Sequence, residues 1–256
     1  MISTNNTKIA FFDFAGREGC QLTVLDALQT HLDLLEAVEI VQFREAMSEQ
    51  GEDYKIAFIE GSCTRPSDEA RLQAIREKAQ IVVALGTCAH LGGVNAIRNT
   101  QSLESVRHYV YGSKANIYDT CSVQPIGDVI PIDAFIPGCP IDQEEFLRSV
   151  RALLRGLRPD IPDYPVCVEC KLRENGCLLA RGKTCLGPII RAGCGALCPT
   201  YGSGCEGCRG VIPNPNIESF RELLIENGLN PSDILTKLGL FNTYYIIERE
   251  VGGDDR

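Results

Sequence analysis

IVVALGTC, residues Ile81–Cys88, decides the fold. Its first five residues are apolar and three of them are β-branched. A run this short and continuous, without polar alternation, suits a strand covered on both faces, as in a parallel sheet. Gly86 ends it. Similar runs lie earlier at Ile9–Phe14, Val38–Phe43 and Lys55–Ile59, and Asp133–Ile136 leads into the Gly138–Pro140 turn. Helical segments separate them. Cys20–Ala37 carries Leu22, Leu25, Leu28, Leu32 and Leu35 at helical spacing. Pro66 opens a charged helix to about Lys78, and a third helix runs from about Asp142 to Leu157. Strands alternating with helices predict an α/β domain over residues 1–160, a parallel sheet with helices on both faces.

From Arg158 the character changes. Pro159, Pro162 and Pro165 form a linker that cannot be helical. Eight cysteines follow between residues 167 and 208, spaced C-x2-C-x6-C-x7-C and then C-x3-C-x6-C-x2-C: Cys167, Cys170, Cys177, Cys185, Cys194, Cys198, Cys205 and Cys208. Pro213 and Pro215 close the stretch. Two short amphipathic helices are expected near Ile217–Asn227 and Pro231–Leu238, with VGGDDR as a frayed tail. The second module therefore covers residues 161–256.

Composition narrows the chemistry. The formal charge of -9 and the lack of a basic stripe argue against a nucleic-acid partner. No secretory leader and no membrane-length apolar run are visible, so the expected location is the cytoplasm. Thirteen cysteines, an odd number in a reducing compartment, then point to metal and away from disulfides. Zinc needs four thiolates, and paired C-x2-C knuckles at Cys167/Cys170 and Cys205/Cys208 would suit it. Iron–sulfur clusters are favoured by eight thiols making two sets of four, by glycines crowding those thiols, and by the Cys198-Pro199 pair.

Five cysteines remain: Cys20, Cys63, Cys88, Cys121 and Cys139. Scattered cysteines are commonly buried hydrophobes. Here, however, Cys20, Cys63 and Cys88 each follow a strand, and Cys139 sits in a turn before a helix. Loops at the carboxyl ends of parallel strands gather in one crevice. Four thiols from four loops could hold a third cluster.

IAFFDFAGREGCQLTVLDAL, GTCAHLGGV and IPGCPID, together with residues 167–208, resemble the small, electron-transferring subunit of nickel–iron hydrogenases. The resemblance is to the cytoplasmic group, the F420-nonreducing gamma and sulfhydrogenase delta subunits, and the first domain also resembles the 20 kDa subunit of NADH–quinone oxidoreductase. It covers about residues 8–210. It implies a flavodoxin-like domain with a proximal 4Fe–4S cluster and a ferredoxin-like module with two more, so three 4Fe–4S clusters in all. It implies a nickel–iron large subunit as partner, and an electron acceptor of flavin, nicotinamide-reducing or heterodisulfide-reductase type. The chain would carry electrons from hydrogen oxidised by the large subunit and would break no bond itself. A related complex without nickel is the alternative reading, and a zinc scaffold without redox function is another.

One departure concerns the loop after the first strand. The family usually has C-x-G-C there; this chain has Arg17-Glu18-Gly19-Cys20. Cys20, Cys88 and Cys139 match the family's ligands. Cys63 is the expected fourth, with Cys121 its rival. A cation at Arg17 beside a cluster would raise its potential. The resemblance also places Glu60 at the subunit boundary near the proximal cluster, where it could relay protons. His90, two residues after Cys88, could hydrogen-bond a cluster sulfur. No dinucleotide or phosphate-loop glycine pattern occurs.

Overall fold

The structure is a computed structural model and describes residues 6–251, with side-chain environments to residue 246. The chain runs β1 (Thr7–Asp13), α1 (Gly19–Thr30), α2 (Leu32–Ala37), β2 (Val38–Phe43), β3 (Ile56–Glu60), α3 (Pro66–Lys78), β4 (Ile81–Leu85), α4 (Gly86–Leu91), α5 (Leu103–Tyr111), α6 (Ile126–Val129), β5 (Ala134–Ile136) and α7 (Gln143–Leu154). Then follow α8 (Val166–Leu172), α9 (Leu197–Thr200), α10 (Ile217–Glu226) and α11 (Ser232–Val251). Tight 3-10 turns occupy Gly93–Thr100 and Gly112–Ile117.

All five strands pair in parallel in the order β2-β1-β3-β4-β5. This is the order of flavodoxin-like doubly wound sheets, and the reversal of direction around β1 and β3 opens a crevice at their carboxyl ends. Alternate side chains leave opposite faces of a strand. Phe11 and Phe58 therefore join α1 and α7 on one side, while Phe12, Ala57 and Ile59 join α3 on the other. Phe11 stacks on Phe43 at 4.5 Å and on Phe58 at 5.0 Å. β4 is the covered strand that its sequence implied: Val82 to Leu85 have no solvent exposure.

Helix boundaries differ from the leucine spacing. The helix expected over 20–37 breaks at His31, whose backbone leaves the helical region at φ -129° and ψ 70°. Leu28 is buried but Leu22, Leu32 and Leu35 are exposed, so that spacing overstated the buried face. α7 stops at Leu154 because Gly156 takes a positive φ of 73°. The last helix, expected to end at Leu238, continues to Val251 with a bend at Asn242. Asn242 leaves helical geometry and its side-chain amide donates to the Gly207 carbonyl at 2.9 Å. α11 packs on Gly93–Thr100, so the chain's last helix returns to its first half. The tail expected over residues 251–256 lies, beyond Val251, outside the described residues.

A second core forms from Val166, Leu186, Ile189, Ile190, Phe220 and Leu224, among others. One side chain fastens it to the sheet. Arg209 is 1% exposed and spends its guanidinium on both halves: Nε donates to the Ala192 carbonyl at 2.7 Å, Nη1 to the Pro137 carbonyl at 2.9 Å, and Nη2 to both Glu145 oxygens at 2.6 and 2.9 Å. Gly193 makes room for it. A Cβ there would stand 2.2 Å from Nη2, and φ is +114°. Removing one member of such a pair leaves the other charge buried and uncompensated. Arg209→Met is expected to cost about 3–5 kcal/mol, and Arg209→Met with Glu145→Leu to recover most of that loss. Chemical denaturation without oxygen, on both variants, measures the difference.

Candidate functional site

The carboxyl ends of β1, β3, β4 and β5 lie along one edge, and their loops carry the N-terminal cysteines. Cys20 is the second residue of α1. That helix starts from Glu18 in the left-handed region, φ 52°, without a side-chain cap of its own. Glu60, the last residue of β3, supplies one from across the sheet. Its Oε1 accepts the N–H of Cys20 and its Oε2 the N–H of Gln21, each at 3.1 Å. A carboxylate there satisfies donors that have no partner within the helix and meets the positive end of the dipole. Glu60 is 5% exposed; burial raises its pKa, against the hydrogen bonds from Cys20 and Gln21.

Cys88 lies in α4, two residues after Gly86, where β4 ends. Gly86 has φ +83°, and a Cβ on it would stand 2.4 Å from the Cys20 sulfur, so only glycine lets that thiol approach the strand end. The Thr87 N–H donates to the Gly138 carbonyl at 2.9 Å, tying the Cys88 loop to the Cys139 turn. Cys139 and Cys88 both act on Cys20, and Cys139 acts on Cys88. Burial pushes Cys20 up, reinforced by Glu60, Cys139 and Cys88. Burial pushes Cys88 up to about 11, with Cys139 and Glu60 adding to it and the Arg17 charge opposing. Cys20, Cys88, Cys139, Glu60 and Arg17 thus form one constellation.

Cys63 stands in different company. The loop after β3 is pinned by an antiparallel bridge of Ser62 to Ala15 and another of Cys63 to Gln124. The Cys121 N–H donates to the Thr64 carbonyl at 2.9 Å. Cys63 is fully buried, its thiol pushed up to about 12 by burial and next by Cys121. Cys121 in turn is raised by burial, with Arg98 and a hydrogen bond from Cys63 opposing. The structure therefore brings together three of the four thiols expected in this region and sets the fourth beside Cys121. His90 is engaged otherwise: its ring stacks on Phe135 at 3.9 Å and 3°.

The eight later cysteines fall into two neighbourhoods that meet at Cys185 and Cys205. Cys167 and Cys170 lie on α8. The Cys167 thiol is pushed up to about 12 by burial and then by Cys185, Cys170 and Cys177. Cys198, on α9, is raised by burial and next by Cys194. Cys205 is raised well above the ordinary value by burial, with Cys185, Cys208 and Cys194 contributing. Cys167 thus keeps company with Cys170, Cys177 and Cys185, and Cys198 with Cys194, while Cys185 and Cys205 stand against each other between the two groups.

The three sets also touch in series. Burial pushes the Cys208 thiol up to about 11, with the neighbouring Cys139 backbone opposing and the Cys139 thiol adding to it. The Cys205 N–H donates to the Cys185 sulfur at 3.2 Å. Thr87 Oγ1 donates to the Cys208 carbonyl. Cys139 thus adjoins Cys208, and Cys205 adjoins Cys185; Cys177 and Cys198 are the exposed thiols of the eight. Sequence reading missed Thr87, Arg209 and Glu145, which hold Cys208 in this register; nothing in their local sequence distinguishes them from ordinary polar residues.

The donor chemistry fits iron–sulfur clusters. Two sets offer four thiols each, the number such a cluster takes. Buried thiols with raised pKa need a positive partner to ionise, and a bound metal reverses that pKa logic. Among the described residues no group of three or more His, Cys, Asp or Glu is arranged around a single metal ion. No helix among them is long and apolar enough to cross a membrane.

Residues 18–153 match the family model described as NADH ubiquinone oxidoreductase, 20 Kd subunit. The chain is similar to the delta subunit of sulfhydrogenase 2 of Pyrococcus furiosus, 37% identical over 91% of this chain and 98% of that one. It is similar to a subunit of the F420-non-reducing hydrogenase of Methanococcus voltae, 33% identical over 80% of this chain and 83% of that one. Among solved structures it resembles a chain of NAD+-reducing [NiFe]-hydrogenase in the H2-reduced state, with a TM-score of 0.56 and 29% identity over 61% of this chain and 96% of that one.

The Glu60 cap yields a direct test. Glu60→Ala leaves the N–H groups of Cys20 and Gln21 without their acceptor and is expected to cost about 0.5–2 kcal/mol, the usual range for a lost cap. Glu60→Gln keeps an acceptor and is expected to lose less. The shift of the anaerobic unfolding midpoint distinguishes them.

Proposed function

Because the chain belongs to the family of the NADH ubiquinone oxidoreductase 20 kDa subunit and, with its relatives, to the small subunits of hydrogenases, we propose that it is the electron-transferring subunit of a nickel–iron hydrogenase. The carrying observation is the serial contact of three thiol sets, Cys139 to Cys208 and Cys205 to Cys185. When bound, 4Fe–4S clusters supply one-electron carriers at each set. Cys20, Cys88 and Cys139 hold the first, within residues 1–160. Cys194, Cys198, Cys205 and Cys208 hold the second, and Cys167, Cys170, Cys177 and Cys185 the third, within a ferredoxin-like module over residues 161–256.

The protein's own residues have separable tasks. Glu60 fixes the first turn of α1 and with it Cys20. The Arg17 charge reaches Cys88. Arg209 and Thr87 hold Cys208 against Cys139. The large subunit bearing nickel faces the first set, electrons leave to an acceptor from the third, and the assembly works in the cytoplasm. Glu60, with its pKa raised beside the first set, is suited to move a proton at that boundary once its cap bonds loosen.

Iron, sulfide, nickel and zinc per chain, measured on the complex purified without oxygen, test this. Three 4Fe–4S clusters predict about 12 iron per small subunit, besides about one nickel in the large one. About 8 iron would mean the first set is unfilled, and zinc with little iron would overturn the proposal. Variants sharpen it. Cys88→Ser and Gly86→Ala are each expected to lose about four iron. Cys63→Ser, which disturbs the Cys121 pair and not the first set, is expected to keep the full complement; a loss of iron there would make Cys63 the fourth ligand.

A further inference from the structure

The chain carries a net charge of -9, yet one surface segment runs the other way. Residues 171–183, KLRENGCLLARGK, hold Lys171, Arg173, Arg181 and Lys183 against a single carboxylate, Glu174. All four cations are exposed, and none is ion-paired among the described residues. At the middle of this segment is Cys177, an exposed thiol of the third set. The segment is fixed. Asn175 Nδ2 donates to Thr200 Oγ1 at 2.9 Å, and Lys183 Nζ to the Gly202 carbonyl at 3.1 Å. Two large apolar side chains stand beside it in water, Leu172 at 81% exposure and Tyr201 at 82%.

Unpaired cations around an apolar centre have the composition of a docking face. Their neighbour decides what docks. A solvated charge pattern opposite to that of the whole chain steers a partner of opposite sign, and the chemistry at this face is that of its exposed thiols, Cys177 and, beside Tyr201, Cys198. We propose that the face formed by Lys171, Arg173, Arg181 and Lys183 around Leu172, Tyr201 and Cys177 receives a small acidic electron-carrying protein. The proposal rests on the electron-transfer reading above and adds to it the sign and place of the acceptor. Shape comes from Leu172 and Tyr201; orientation and encounter rate come from the four cations.

Lys171 is the position to change, because Arg173 and Arg181 lie against the backbone of Gly195 and Gly176, Lys183 holds the Gly202 carbonyl, and the loss of any of these would disturb the fold. The intact hydrogenase assembly, purified without oxygen, is immobilised, and binding of an acidic two-cluster ferredoxin is measured at low and high salt. Hydrogen-dependent reduction of that ferredoxin and of methyl viologen, a small dication that needs no docking face, is measured alongside, with iron per chain. Each hydrogen yields two protons and two electrons, and each electron reduces one viologen or one ferredoxin cluster. Lys171→Glu is expected to weaken ferredoxin binding roughly tenfold at low salt and to flatten its salt dependence. Viologen reduction and iron content are expected to stay unchanged. Unaltered ferredoxin affinity in that variant overturns the proposal. So does lysine-dependent binding of phosphatidylserine vesicles without an effect on ferredoxin, which would assign the face to a membrane. A wild-type assembly that reduces neither acceptor overturns the electron-transfer reading itself.

Discussion

One buried guanidinium sets the relation between the two halves of the molecule. Arg209 brings a full charge out of water, which costs several kcal/mol unless every donor and the charge itself are met. They are met from three directions: Glu145 on α7, Pro137 at the end of β5, and Ala192 in the second core. Such a pair contributes little net stability compared with well-packed apolar residues, but it tolerates no displacement. Arg209 follows Cys208 directly, and Pro137 is two residues from Cys139. The clamp therefore fixes the spacing of the two thiols at which the first and second sets meet.

The sheet order does the equivalent work for the first set. With β1, β3, β4 and β5 side by side, their carboxyl-end loops open on one edge, so residues far apart in sequence become neighbours without long excursions. Close approach has local requirements as well. Gly86 leaves room for the Cys20 sulfur, and Glu60 reaches from β3 to hold the turn that presents Cys20. Glu60 thus serves the backbone and the site at once, because capping α1 and facing the thiols are the same position.

Much of this was legible in the residues, and what was not has identifiable causes. The apolar runs named the strands, because burial on both faces leaves no other pattern. The eight-cysteine spacing marked residues 167–208 as a stretch where thiols gather. Leu22, Leu32 and Leu35 misled, since helical spacing reports a possible face and not whether anything covers it. α5 has no buried residue, so no periodicity could announce it. Cys63 followed its strand like the others, but the bridges from Ser62 to Ala15 and from Cys63 to Gln124 turn its loop toward Cys121. Those bridges are backbone pairings between distant segments, which side-chain identity does not encode. Arg209 and Glu145 lie 64 residues apart, and each reads alone as a surface charge.

The cysteines of the second half have two roles that compete physically. Cys185 and Cys205 are counted within its hydrophobic core, alongside Leu186, Ile190 and Phe220. A core this small, built on short helices and turns, has little apolar area with which to offset chain entropy. Burial also holds these thiols in their protonated form, Cys205 most of all. Metal loading changes both terms together: it exchanges protons for a cationic centre at each set and cross-links segments that otherwise depend on the core alone. On the proposed reading, folding of this half and loading of its thiol sets would be coupled in one equilibrium. The sheet domain, with its two large cores, supplies through Arg209 the rigid surface on which that equilibrium is reached.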